Sequence, residues 1–169
     1  MKASRNIAAV IVAVALGIGG YLAFEGAGRA ETVPNVGYTL LDGTQSTTAQ
    51  LRGKVVLINF WATSCTTCVQ EMPQVVATYE KFRNRGYETL AVAMSYDTPA
   101  YVINYAATRK LPFSVAIDNT GAIAKSFGNV QLTPTSVLVN KRGEIVKRYV
   151  GEPDFVALHK LVDQLLAET

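Results

Sequence analysis

The amino-acid sequence predicts an α/β domain, a mixed β-sheet flanked by helices, with an N-terminal hydrophobic segment ahead of it. Three observations carry this. Residues 31–169 alternate apolar strand-like runs with helical spacing, two late runs face each other across a tight turn, and residues 7–24 hold no charged side chain at all. Alternation places parallel strands between covering helices, and a terminal hairpin adds an antiparallel end.

The chain opens with Lys2 and Arg5 ahead of the uncharged residues 7–24. A basic flank before an apolar run is an export pattern. Its length lies between the about 7–15 residues of a cleaved signal core and the about 20 of a spanning helix. Residues 1–30 therefore read either as a membrane anchor or as a signal segment, with Gly28-Arg29-Ala30 as the candidate cleavage region. In both cases Glu31 onward is exported, and Lys2 and Arg5 stay in the cytoplasm by the positive-inside tendency. The domain is then held on the periplasmic, extracytoplasmic side of the inner or cytoplasmic membrane, or is soluble in the periplasm after cleavage. Residues 31–169 have the length of one domain, since single domains centre on about 100–150 residues.

Residues 33–54 combine loop with a short strand at 38–41 that runs into the turn pair Asp42-Gly43. VVLINFW, Val55 to Trp61, is an almost unbroken run of branched and aromatic side chains, as in a strand covered on both faces; Asn59 alone interrupts it. Residues 65–82 take up helical spacing, with Val69, Met72, Val75, Val76 and Tyr79 on one face, and stop near Gly86. A second buried strand is expected at 89–94. The helix that follows, 99–110, has Thr98 placed to cap it and Tyr101, Val102, Tyr105 and Ala106 on its apolar side. Strand 113–117, short helix 121–127 and strand 135–139 lead to a hairpin partner at 144–150. The last helix takes Pro153 into its first turn and buries Phe155, Leu158, Val162, Leu165 and Leu166.

The formal net charge is +3, of which Lys2, Arg5 and Arg29 against Glu25 supply +2, leaving the exported part near +1. Its basic residues are scattered, which argues against a nucleic-acid partner. Cysteine is more informative. Cys65 and Cys68 are the whole supply and lie three positions apart. An exported pair of thiols forms a staple, binds metal or exchanges electrons. So short a loop makes a poor staple, because the entropy removed from the unfolded chain grows with loop length. Zinc wants about four ligands, and His159, the one remaining strong candidate, is expected on the last helix facing water. No metal and no organic cofactor is expected; the redox-active disulfide is the whole apparatus.

Cys65 falls where a buried strand gives way to a helix, among the free N–H groups of the first turn, where the helix dipole favours a thiolate. The thiolate is the attacking species in disulfide exchange. Cys68 lies one turn on, within reach of Cys65 for a disulfide, and is expected to resolve a mixed disulfide formed there. Thr66 and Thr67, between the sulfurs, can donate hydroxyl hydrogen bonds to a thiolate and so stabilise the reduced form. Glu71, three residues past Cys68, shares its helix face. A buried carboxyl there could take the Cys68 proton; an exposed one would simply favour the early helix turns. Trp61 is read as core and wall beside the dithiol, and Asn59 as a group satisfying neighbouring backbone. Taken alone, Pro134 is an edge or turn proline.

Through Asn59-Phe60-Trp61-Ala62-Thr63-Ser64-Cys65-Thr66-Thr67-Cys68, then Glu71-Met72-Pro73, then Thr133-Pro134-Thr135, the chain resembles the thioredoxin superfamily. Within it, the similarity is to the membrane-tethered reductases of the ResA and TlpA type that serve cytochrome c maturation, and it covers nearly all of residues 31–169. The resemblance implies a thioredoxin-like sheet with an added strand and helix between about Asp97 and Phe127. It implies a cis Thr133–Pro134 bond against the dithiol, where a missing N–H leaves the Thr133 backbone free to pair with an extended substrate. Trp61, Thr133 and Pro134 thus become the expected substrate-binding residues. Pro73 would bend the helix, and Glu71 would serve the proton of Cys68. Cytoplasmic members carry a titratable aspartate where this chain has Asn59, which cannot titrate, so weight moves to Glu71. Ser64 departs from the bulky aromatic usual before the first cysteine. The implied partners are an exported disulfide-containing client, apocytochrome c with its CxxCH site among them, and a membrane thiol electron donor.

Alternatives of the same chemistry are a disulfide oxidase or isomerase. A peroxidase of this fold needs Thr or Ser three residues before its reactive cysteine and Pro four before that, where this chain has Ala62 and Ile58. A copper-binding chaperone needs a distal histidine near a longer-spaced cysteine pair, which His159 fits poorly.

Overall fold

A computed structural model describes residues 30–168; the expected hydrophobic segment at 7–24 lies outside them. A hairpin of β1 (Gly37–Thr39) and β2 (Gln45–Thr47) leads through a single 3-10 turn to β3 (Val55–Trp61). Helix α1 (Thr66–Phe82), β4 (Tyr87–Ala93), α2 (Pro99–Arg109) and β5 (Ser114–Ile117) follow. Short α3 (Ala122–Ser126), β6 (Thr135–Val139), β7 (Ile145–Val150) and α4 (Phe155–Ala167) complete the domain. The main sheet runs β5-β4-β3-β6-β7, with β3, β4 and β5 parallel and β6 and β7 antiparallel. This is the mixed sheet with one antiparallel end that the sequence predicts.

All seven residues of β3 are buried because the sheet is covered on both sides. Period-two alternation sends Val55, Leu57 and Trp61 to one face, with Met72, Val75 and Phe82 of α1, Val102 of α2 and Leu158, Val162 and Leu165 of α4. Val56, Ile58 and Phe60 face the other way, onto Tyr38, Ile123 and Phe127. Asn59, by the same alternation, belongs to the α1 face. Its cross-strand partner on β6 is Ser136. That register places two polar side chains side by side under the helix that carries the cysteines.

Several expected details differ. The second strand starts at Tyr87, two residues early, because Gly86 at φ 90° closes the turn at once. Tyr101 is 65% exposed, not part of the apolar stripe of α2, which buries Val102 and packs Tyr105 and Ala106. Tyr101 stands next to the fully buried Val102 in the first turn and points away from the side that meets the core. Thr98 holds the N-cap position with no side-chain cap bond. Pro153 precedes α4 instead of entering it; Asp154 is the cap, its carboxylate accepting from the N–H groups of Val156 and Ala157. Among the described residues no helix is long and apolar enough to cross a membrane.

Candidate active site

The C-terminal ends of β3 and β4, the N-terminal end of β6 and the C-terminal end of β7 meet at one edge. Trp61 pairs with Ala93, Phe60 with Thr135, and Thr135 with Val150. The loops leaving these ends carry the chemistry, as is common where strands end in α/β sheets.

Cys65 is the N-cap of α1, in the extended conformation, and its Sγ accepts the N–H of Cys68 at 3.1 Å. It occupies the place usually taken by Ser, Thr or Asp and satisfies one of the free N–H groups of the first turn. A thiolate at that position gains from the same bond and from the helix dipole. Cys65 and Cys68 form a disulfide with Cα atoms 5.2 Å apart. Cys65 is half-buried, whereas Cys68 is 0% exposed and packs into the core beneath it. An incoming disulfide therefore reaches Cys65 first.

Thr66 and Thr67 are exposed, and the described hydrogen bond to the Cys65 sulfur comes from the Cys68 backbone, not from either hydroxyl. Both threonines begin the helix, with side chains turned outward. Trp61 is 0% exposed, its ring 5.2 Å from that of Tyr105. It is a floor behind the site and offers a client no surface, which corrects its expected substrate-binding role. Pro73 stands inside α1, where its missing N–H leaves the Val69 carbonyl without its helical partner. The Thr133–Pro134 bond is cis. Pro134 is buried and its carbonyl accepts from Gly151 N–H at 2.8 Å; Thr133 is half-buried.

Glu71 is 1% exposed, so the exposed-acid alternative fails. Burial pushes its carboxyl up to about 7 from an ordinary 4.5; a hydrogen bond from Asn59 opposes the shift and the negative charge of Glu152 adds to it. Asn59 donates one amide hydrogen to Glu71 Oε1 at 3.0 Å and the other to Ser136 Oγ at 2.9 Å. Its partners are side chains, where the sequence suggested backbone, because the β3 backbone is already used in the sheet. Glu71 follows Cys68 by three residues on α1, so the buried carboxyl and the buried sulfur share one helix face.

Asp97 escaped the sequence reading. Buried at the end of β4, its carboxylate accepts both the N–H and the hydroxyl of Thr63, the latter at 2.6 Å, and so fixes the loop two residues before Cys65. The adjacent Tyr96, 58% exposed, shares a 3.1 Å hydrogen bond with Thr133 Oγ1. One short loop thus bonds both the Thr63 segment ahead of Cys65 and Thr133 ahead of the cis proline. Its signal was the position of Asp97 just past a buried parallel strand, obscured by Thr98-Pro99, which reads as a helix start. Asp97→Ala leaves the two Thr63 donors unpaired, and we expect a loss of about 2 kcal/mol in urea unfolding. Client reduction should slow as the Cys65 loop loosens.

His159 is half-buried, not turned to water: its Nε2 lies 2.9 Å from Thr78 Oγ1 and its ring packs on Phe82 at 5.4 Å. Among the described residues no group of three or more His, Cys, Asp or Glu side chains is placed to share a metal ion.

The Redoxin family model matches residues 29–165. The chain is 34% identical over 160 residues to "Thiol-disulfide oxidoreductase ResA" of Bacillus thuringiensis, covering 90% of this chain and 91% of that one. A solved structure of a Neisseria meningitidis protein described as a thioredoxin superposes with a TM-score of 0.77 at 41% identity, over 83% of this chain and 93% of that one. A thiol:disulfide interchange protein of the thioredoxin family from Chlorobium tepidum gives a TM-score of 0.75 at 25% identity, over 82% and 98%.

Proposed function

We propose, for a chain that belongs to the Redoxin family and is a thiol-disulfide oxidoreductase, that its working reaction is the reduction of disulfides in exported client proteins. The observation that carries this reading is the buried Glu71 carboxyl, raised to about 7 and held by Asn59 on the helix face of Cys68. A reductase must release its client by making the second thiol a nucleophile, and such a carboxyl supplies the base for that step.

In the reduced protein the Cys65 thiolate attacks one sulfur of the client disulfide. That S–S bond breaks, a new one forms to Cys65, and the other client sulfur leaves as a thiolate that takes up a proton. Cys68 then passes its proton to Glu71 and attacks Cys65 Sγ. The Cys65–Cys68 disulfide forms, the second client sulfur leaves as a thiolate that takes up a proton, and two electrons have moved to the client. Thr133 and the Pro134 loop border the groove in which an extended client segment would lie. Asn59 tunes Glu71, and Thr66 and Thr67 face the client side of the pair.

The electrons pass through the two sulfurs with no metal or organic cofactor. Residues 1–30 serve as membrane anchor or signal segment and residues 31–169 as the domain, working on the extracytoplasmic side, and a membrane thiol donor re-reduces the pair. The client best matching the family resemblance is an apocytochrome c with a CxxCH site. The test of direction is the potential of the dithiol, by equilibration in thiol buffers and mass mapping of the two cysteines. A reductase is expected near thioredoxin, about −270 mV; a value near DsbA, about −120 mV, would make the protein an oxidase.

A further inference from the structure

We infer that Ser136 is a positioning residue for the proton-handling carboxylate: its hydroxyl fixes the Asn59 amide so that Glu71 Oε1 meets a donor and Glu71 Oε2 is left to carry the proton. This rests on Glu71 acting as the acid–base group of the reaction.

Asn59 and Ser136 are direct cross-strand partners of β3 and β6, and both side chains lie on the face that α1 covers. Both amide hydrogens of Asn59 are used, one on Glu71 Oε1 and one on Ser136 Oγ. Asn59 Oδ1 and Glu71 Oε2 are buried and have no hydrogen-bond partner among the described residues. A half-turn of the amide would bring Oδ1 against Glu71, acceptor against acceptor unless Glu71 kept its proton. It would also send both N–H groups to a place where Oδ1 now finds no partner. The acceptor-only carboxylate of Glu71 opposes that turn, and the Ser136 hydroxyl, by accepting the second amide hydrogen at 2.9 Å, keeps the amide aligned with Glu71 Oε1. Without it one buried amide hydrogen is unpaired, the amide can swing, and the bond to Glu71 weakens. Because that bond favours the charged carboxylate, weakening it keeps the proton on Glu71 to higher pH.

The groups facing Glu71 are Cys68 on its own helix, Asn59 from β3, Ser136 from β6 and Glu152 from the segment after β7. No Lys or Arg pairs with Glu71 among the described ion pairs. Ser136 carries no charge, so a change there has no Coulombic route to Glu71.

The test follows the Glu71 carboxyl directly by NMR in oxidised protein carrying ¹³C-labelled glutamate, with its signal assigned by loss in Glu71→Gln. Ser136→Ala is expected to raise the titration midpoint by about one pH unit. Ser136→Thr keeps the hydroxyl and is expected to stay within about 0.3 units of wild type, while Ser136→Val, matched in size, moves with the alanine variant. The Thr and Val pair keeps the comparison meaningful if Ala perturbs packing. A Ser136→Ala or Ser136→Val midpoint unchanged from wild type, or a Ser136→Thr midpoint that moves as far as valine's, would overturn the inference. Trapping of a disulfide client on Cys65 by reduced Cys68→Ser protein would then show that the reductase assignment survives it.

Discussion

Cys65→Ser is expected to abolish client reduction, by at least about 10³-fold, whereas Cys68→Ser still makes the first attack and stops as a mixed disulfide on Cys65. The asymmetry follows from placement. Cys65 caps α1 and is open to a partner; Cys68 lies in the core with no exposed surface. Non-reducing gels and mass spectrometry of Cys68→Ser mixed with a disulfide client should show the adduct at Cys65. Turnover by wild type without any adduct in Cys68→Ser would mean that the cysteines do not divide the work in this way.

Glu71→Gln has the second large effect, and on a different step. Loss of a general base costs about 10²–10⁴-fold, so release of the mixed disulfide should slow by about 10²-fold near neutral pH while the first attack is little changed. Wild-type release should rise with pH through about 7, where Glu71 becomes able to accept a proton. The variant should lack that limb, as stopped-flow measurements of the two steps would show. Stability moves as well. Glu71 has a folded value near 7 against an ordinary 4.5, so the folded protein holds a proton that the unfolded chain releases between those pH values. The associated stability is fully present below about 4.5 and lost as pH rises through about 7. It amounts to about 3 kcal/mol for the oxidised protein. Urea unfolding should show wild type weakening across that window and Glu71→Gln remaining nearly flat.

Much of this was legible in the sequence, and the reasons are local. The run Val55 to Trp61 could only be a strand covered on both faces, and Cys65 at its exit could only begin the next helix. The spacing of Cys65, Cys68 and Glu71 fixed one helix face in advance. What the sequence hid depends on contacts between distant segments. Asn59 and Ser136 are 77 positions apart and meet through the β3–β6 register. Asp97 reaches Thr63 across 34 positions because β3 and β4 end side by side. Trp61 reads from the residues as core and wall, and its ring does lie inward against Tyr105; it is the resemblance that suggests contact with a substrate. Tyr101 fits a helical stripe by spacing, but it lies at the edge of the face that buries Val102 and stays exposed. Periodicity reports which residues share a face, not how far that face extends over the sheet.

The division of labour between the two sulfurs is tested most directly by their alkylation rates. Reduced protein treated with limiting iodoacetamide at pH 7 and mapped by mass spectrometry should carry the label on Cys65 at least about tenfold more than on Cys68, as befits a helix-capping thiolate above a buried thiol. Equal labelling of the two, or preferential labelling of Cys68, would contradict the account.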